Sequence, residues 1–101
     1  MKEIIAKMRF LLPDEGGRDT PFWSGQVTSV YLGLADETGS RTYNDCWIIL
    51  DDRDRVQPGE ECLVYLRPVV PELVEPVVHR DLAIEFFEGR TIARGSIVDV
   101  E

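Results

Sequence analysis

The chain has 101 residues, 44% of them apolar, and 19 acidic side chains against 11 basic ones give it a formal charge of −8. That length leaves room for one hydrophobic core, so a single domain over residues 1–101 is expected. The charge repels other polyanions at long range, which makes DNA and phosphate backbones poor partners.

The first predicted element is a half-buried strand, because Ile4, Ala6, Met8, Phe10 and Leu12 alternate with Glu3, Lys7 and Arg9. An alternating start is not a signal peptide, and no run reaches the length of a membrane span, so a cytoplasmic location without a membrane partner is expected. The same period of two returns at Val30, Leu32 and Leu34, at Cys46, Ile48 and Leu50, at Cys62, Val64 and Leu66, and at Leu82, Ile84 and Phe86. A last strand is expected from about residue 90 to residue 100. Gly16-Gly17, Thr38-Gly39, Pro58-Gly59 and Glu88-Gly89 punctuate the series. Six short strands of this kind predict an all-β fold, an antiparallel sandwich or closed barrel, with no helix. Closure suits so small a chain because it removes unpaired sheet edges. Gly33 and Gly95 interrupt strand-like segments and fit bends or close backbone approaches.

Catalytic chemistry finds little support. His79 is the only histidine, so a zinc site would need it together with Cys46, Cys62 and a carboxylate, none at a local ligand spacing. The two cysteines read as buried thiols in a reducing compartment. No G-x-S-x-G elbow exposes a serine nucleophile. Asp51-Asp52-Arg53-Asp54-Arg55 lacks the glycine and distal glutamate of a calcium loop and reads as a charged turn. Asp14 and Glu15 stand beside Gly16-Gly17 and read as part of a backbone-shaped turn. No catalytic residue, metal or cofactor is expected, and the chain reads as a non-enzyme.

Two loops carry apolar residues that a small barrel does not obviously need. In residues 18–25, Phe22 and Trp23 have two readings, a plug in the barrel end or, with Arg18, an exposed patch of the kind that anchors protein interfaces. Residues 68–78 hold three prolines, which disfavour a helix or a central strand. This segment either lies on the barrel or presents itself to a partner, with Leu73 as its candidate contact.

The run Asp14-Glu15-Gly16-Gly17-Arg18-Asp19-Thr20-Pro21-Phe22-Trp23-Ser24-Gly25 resembles the loop D-E-G-G-R-x-T-P-F-x-x-G of the C-terminal β-barrel of bacterial elongation factor Tu. Asp36-Glu37-Thr38-Gly39 is similar to that family's D-V-T-G, Val56-Gln57-Pro58-Gly59-Glu60 to its V-x-P-G-[DE] turn, and Glu88-Gly89-Arg90-Thr91-Ile92 to its G-G-R-T-V hairpin. The phosphate-binding motif G-x-x-x-x-G-K-[ST] of the GTPase domain is absent, so the resemblance is to the third barrel, here as a stand-alone domain. It implies a small closed antiparallel barrel of about six strands. It also implies a translation-related protein-binding module whose partner is a translation component or a GTPase domain. The second function it implies is tRNA binding at the surface that faces the T-stem in the family, carried here by Thr38, Arg67 and Arg90. Ser29 stands where the family has glutamine, Gln26-Val27-Thr28 where it has Y-R-P, and Glu88 where it has a glycine. A carboxylate at that last position adds repulsion and bulk against a sugar-phosphate backbone, and affinity for phosphates rests on Lys and Arg contacts that an acidic barrel supplies sparingly.

Overall fold

The structure, a computed structural model, describes residues 3–101; Met1 and Lys2, the first residues of the alternating N-terminal stretch, lie outside the described residues. In chain order the elements are β1 Ile4–Phe10, a 3-10 turn Pro13–Glu15, β2 Phe22–Trp23, β3 Gln26–Ala35, β4 Arg41–Leu50, β5 Arg55–Val56, β6 Glu61–Pro68, a one-turn helix α1 Pro71–Val74, β7 Ala83–Phe87 and β8 Thr91–Val100. Six strands close into an antiparallel barrel in the order β1-β6-β4-β3-β7-β8, with β8 returning to pair with β1. The two shortest strands, β2 and β5, form a separate ribbon.

Alternation decides what fills the interior. On β1, Ile4, Ala6, Met8 and Phe10 are buried while Lys7 is exposed, and in the facing register Ala6 lies opposite Val64 and Met8 opposite Cys62. Ile48, Leu66, Ile84, Phe86, Ile92 and Ile97 complete a single apolar core. The sequence pattern of period two therefore becomes one continuous interior, and removal of that surface from water drives closure.

Gly95 lies opposite Met8 across the β1–β8 seam, where a Cβ would meet the Lys7 carbonyl oxygen at 1.9 Å. Only glycine permits that approach of the two backbones. Gly33 has φ +83° and sits within the register shift between Tyr31 and Ala35, so it supplies the bend rather than an approach.

Three local expectations change. β1 ends at Phe10, and Leu12 is exposed because Pro13 turns the chain into the 3-10 segment. Leu34 does not continue the buried row of Val30 and Leu32, because the irregularity at Gly33 re-aims it. A helix exists where none was expected: Pro71 occupies its first position, where a fixed φ helps and the missing N–H had no helical partner to lose. The charged run after β4 is a turn, with Asp52 in the left-handed region at φ +55°.

Candidate functional site

The ends of the barrel are closed by the two loops singled out above, and each loop splits its apolar residues. At the lower end, below the start of β3, β2 carries Phe22 inward. It is 1% exposed, with its ring 5.2 Å from Phe10 and 6.5 Å from Phe86. Trp23, the next residue, points out, is 48% exposed and lies under the Arg55 guanidinium at 5.5 Å across the β2–β5 pair. Phe22 is therefore the plug and not an interface residue. Pairing with β5 turns neighbouring side chains to opposite faces.

Arg18 is also committed internally. Its Nη1 donates to Glu88 Oε1 at 2.7 Å, its Nη2 donates to Thr20 Oγ1 and the Pro21 carbonyl, and its guanidinium lies 5.7 Å from the Phe22 ring centre. Arg18 therefore holds the plug loop to the β7–β8 turn, with 23% of its side chain still exposed. The same contact gives the glutamate at position 88 a structural role as the counter-charge of Arg18.

At the upper end, where β3 turns into β4 and β6 gives way to α1, Val74 of α1 packs into the core at 1% exposure, and Val77, Val78 and Leu82 pack against that core. Leu73 points away from the core and is 59% exposed. The proline-rich segment thus does both things considered for it: Val74 lies on the barrel and Leu73 is available.

Next to Leu73 the outer surface continues apolar. Val69 and Val70 are exposed, and one row away Trp47 is 48% exposed between Val27 on β3 and Arg67 on β6. Ser29, Tyr43, Asn44, Asp45, Val69, Val70 and Leu73 enclose a cleft of about 260 Å³. Ser29 Oγ donates to Asp45 Oδ1 at 2.9 Å on its floor. Tyr43 is held by stacking on Phe87, with ring centres 4.7 Å apart. Arg41 lies 4.0 Å over Tyr31 and donates to Glu85 Oε1 at 3.1 Å. Burial pushes the Glu85 carboxyl up, but hydrogen bonds from Thr91 and Arg41 outweigh it and hold the group below the ordinary carboxylate value.

The three residues considered for RNA do not converge. Thr38 is in the upper β3–β4 turn, where its hydroxyl donates to Asp36 at 2.6 Å and lies 3.1 Å from Ser40. Arg67 is on the outer wall beside Trp47. Arg90 is at the lower end, where it shares a shallow cavity of about 240 Å³ with Pro13, Gly16, Gly17 and Asp19. Thr38 and Arg90 are thus at opposite ends of the barrel.

Reactive groups are not assembled. Burial first, then the neighbouring Asp45 charge, pushes the Cys46 thiol up to about 12, and burial also raises that of Cys62, so both stay protonated at neutral pH. The exposed ring of His79 has Nδ1 2.9 Å from the Arg80 carbonyl oxygen. Among the described residues, no group of three or more His, Cys, Asp and Glu side chains is placed to hold a metal ion, and no helix is long and apolar enough to cross a membrane.

The sequence points to Leu73 and to the segment that holds Val69 and Val70, but Trp47 was not singled out. Trp47 carried a usable signal, since it occupies the outward phase between Cys46 and Ile48. No protein-family model matches this chain.

Proposed function

We propose that this barrel is a protein-binding module of the kind found as the third domain of elongation factor Tu, with a translation component or a GTPase domain as its partner. The family part of this reading is supported by the motif series at residues 14–25, 36–39, 56–60 and 88–92. The observation that carries the binding part is the exposed apolar surface of Val69, Val70 and Leu73, which line one cleft, together with exposed Trp47 and its cross-strand neighbour Val27 on β4 and β3. Soluble proteins rarely leave such residues together without a partner to cover them, and a central aromatic beside an arginine has the composition of an interface anchor.

The test is affinity capture of the tagged protein from its own cell lysate, with and without ribonuclease, beside the Leu73→Asp variant. A translation protein or GTPase domain that survives ribonuclease and is lost with Leu73→Asp is the expected result. Capture indifferent to Leu73→Asp, or recovery of nothing but tRNA that ribonuclease removes, overturns the reading.

A further inference from the structure

Within the closed barrel, β4 runs on past the end of its pairing with β6. The β4–β6 ladder starts at the pair Cys46–Pro68, and the last main-chain bond beyond it is Val69 N–H to the Asp45 carbonyl at 3.0 Å. After Val69 the chain turns away into α1. In an antiparallel ladder, successive residues direct their N–H and C=O groups alternately to one neighbour and the other. Because Asp45 directs its carbonyl toward β6, Tyr43 and Arg41 direct theirs to the same side, and β6 is no longer there. On its other side β4 stays paired with β3, Tyr43 opposite Tyr31 and Arg41 opposite Ala35. Among the described residues, the first residues of β4 thus form a strand edge with a partner on one side, and at Tyr43 the open side borders the cleft walled by Val69, Val70 and Leu73.

We propose that this edge takes up an extended peptide segment of a protein partner by strand addition, with apolar side chains at alternate positions and a basic residue among them. The inference rests on the protein-binding reading above and specifies its mode. An unpaired edge supplies main-chain donors and acceptors for a guest strand, and flanking pockets read its alternate side chains. A cleft of about 260 Å³ lies just under the usual range for small-ligand pockets and suits a few aliphatic side chains.

Charge selects the guest. Among the described residues, Asp45 is the one acidic side chain lining the cleft, no lysine, arginine or histidine lines it, and Glu72 and Glu75 flank Leu73 and Val74 on the adjoining turn. The nearest cation on β4, Arg41, is engaged by Glu85 and Tyr31, while Arg67 stands outside the cleft beside Trp47. A basic segment is attracted to that rim and an acidic one repelled. The same argument disfavours a second copy of the chain, which would bring two rims of carboxylates together on molecules that each carry −8.

The probe is the acetylated, amidated nonapeptide Lys-Val-Thr-Val-Lys-Val-Thr-Val-Lys, titrated into the ¹⁵N-labelled full chain. Amide exchange at Tyr43 and Arg41 is expected to slow by about tenfold or more, because a guest carbonyl now accepts from these groups. Two further peptides are N-methylated at one or the other set of alternate residues. One set should bind like the parent and the other about tenfold more weakly, since only one set faces the β4 edge. Replacing the lysines by glutamates should weaken binding by about tenfold at low salt, with the difference shrinking as salt rises.

No amide shift at millimolar peptide overturns strand addition, as does equal binding of both N-methylated peptides. Protection of Tyr43 without peptide in a species of doubled mass overturns it too, because the edge then belongs to a second copy. If strand addition fails while capture in lysate still depends on Leu73, the protein-binding reading stands and only its mode is wrong. If the peptide protects Tyr43 and no partner is captured, the reverse holds.

Discussion

The two ends of the barrel solve the same problem with different leftovers. Each is closed by a loop that sends one apolar residue inward and leaves its neighbour outside: Phe22 and Trp23 below, Val74 and Leu73 above. Below, the outward residue is covered in part by its cross-strand arginine, and the loop is tied down by Arg18 on Glu88. Above, among the described residues, nothing comparable covers Leu73, and it continues into Val69, Val70 and the cleft. A loop that pairs with another short strand finishes itself; a loop held by one turn of helix leaves surface over.

The largest effects should fall on the inward residues. Phe22→Ala is expected to cost about 3–5 kcal/mol in urea unfolding, because it removes a ring packed on Phe10 and Phe86 and leaves a cavity. Val74→Ala removes less volume at the upper end and should cost about 2 kcal/mol. Equal costs would show that the two plugs are not of unequal weight.

The tie at the lower end comes next. Glu88→Gln should cost about 1 kcal/mol, since the Arg18–Glu88 pair is only partly exposed, at 23% and 30% of the side chains, and is charge-assisted. No change would mean that Thr20 and Pro21 hold Arg18 unaided.

The outward residues should separate stability from binding. Trp23→Ala and Leu73→Ala are each expected to stay within about 0.5 kcal/mol of the parent in unfolding. Only Leu73→Ala should reduce partner capture. A large loss of stability for Leu73→Ala would place this residue in the upper plug and remove it from the interface.

Acid should act on both ends weakly. Near the lower end a hydrogen bond from Arg9, then the Leu12 N–H, lowers the Glu15 carboxyl from its ordinary 4.5; at the upper turn the Thr38 hydroxyl and N–H lower Asp36 from 3.8. A carboxyl held low in the folded state contributes stability above its unfolded value and loses it as pH falls through the folded one. Melting temperature should thus be level near neutral pH and decline below about pH 4, with a shallower decline in Glu15→Gln and Asp36→Asn. Equal acid slopes in parent and variants would exclude these two groups as the source.

How much of this was legible follows from the range of the forces involved. Alternating residues such as Ile4, Ala6 and Met8 announce a strand because side-chain direction within a strand is local, and the six barrel strands were readable for that reason. Phe22 and Trp23 could not be assigned separately, since their directions depend on pairing with Arg55 and Val56 more than thirty residues away. Leu34 departs from its expected row because the bend at Gly33 breaks the alternation. The turn of helix at Pro71 is not legible from proline content, because a proline that breaks a helix interior starts one at its first position. Trp47 was readable in principle from its outward phase, but its place beside Val27 and Arg67 required the register of three strands.

An all-β chain with one apolar interior follows from the order of residues alone, because burial of alternating residues leaves few other arrangements for a chain this short. The closed barrel is the arrangement adopted. Which loop residues close the barrel, that Glu88 answers Arg18, and that β4 among the described residues runs past β6 at Arg41 and Tyr43 are set by the packing in three dimensions. Each of those depends on where distant segments meet and part, as β6 parts from β4 after Val69, and no local pattern of side chains records such a meeting.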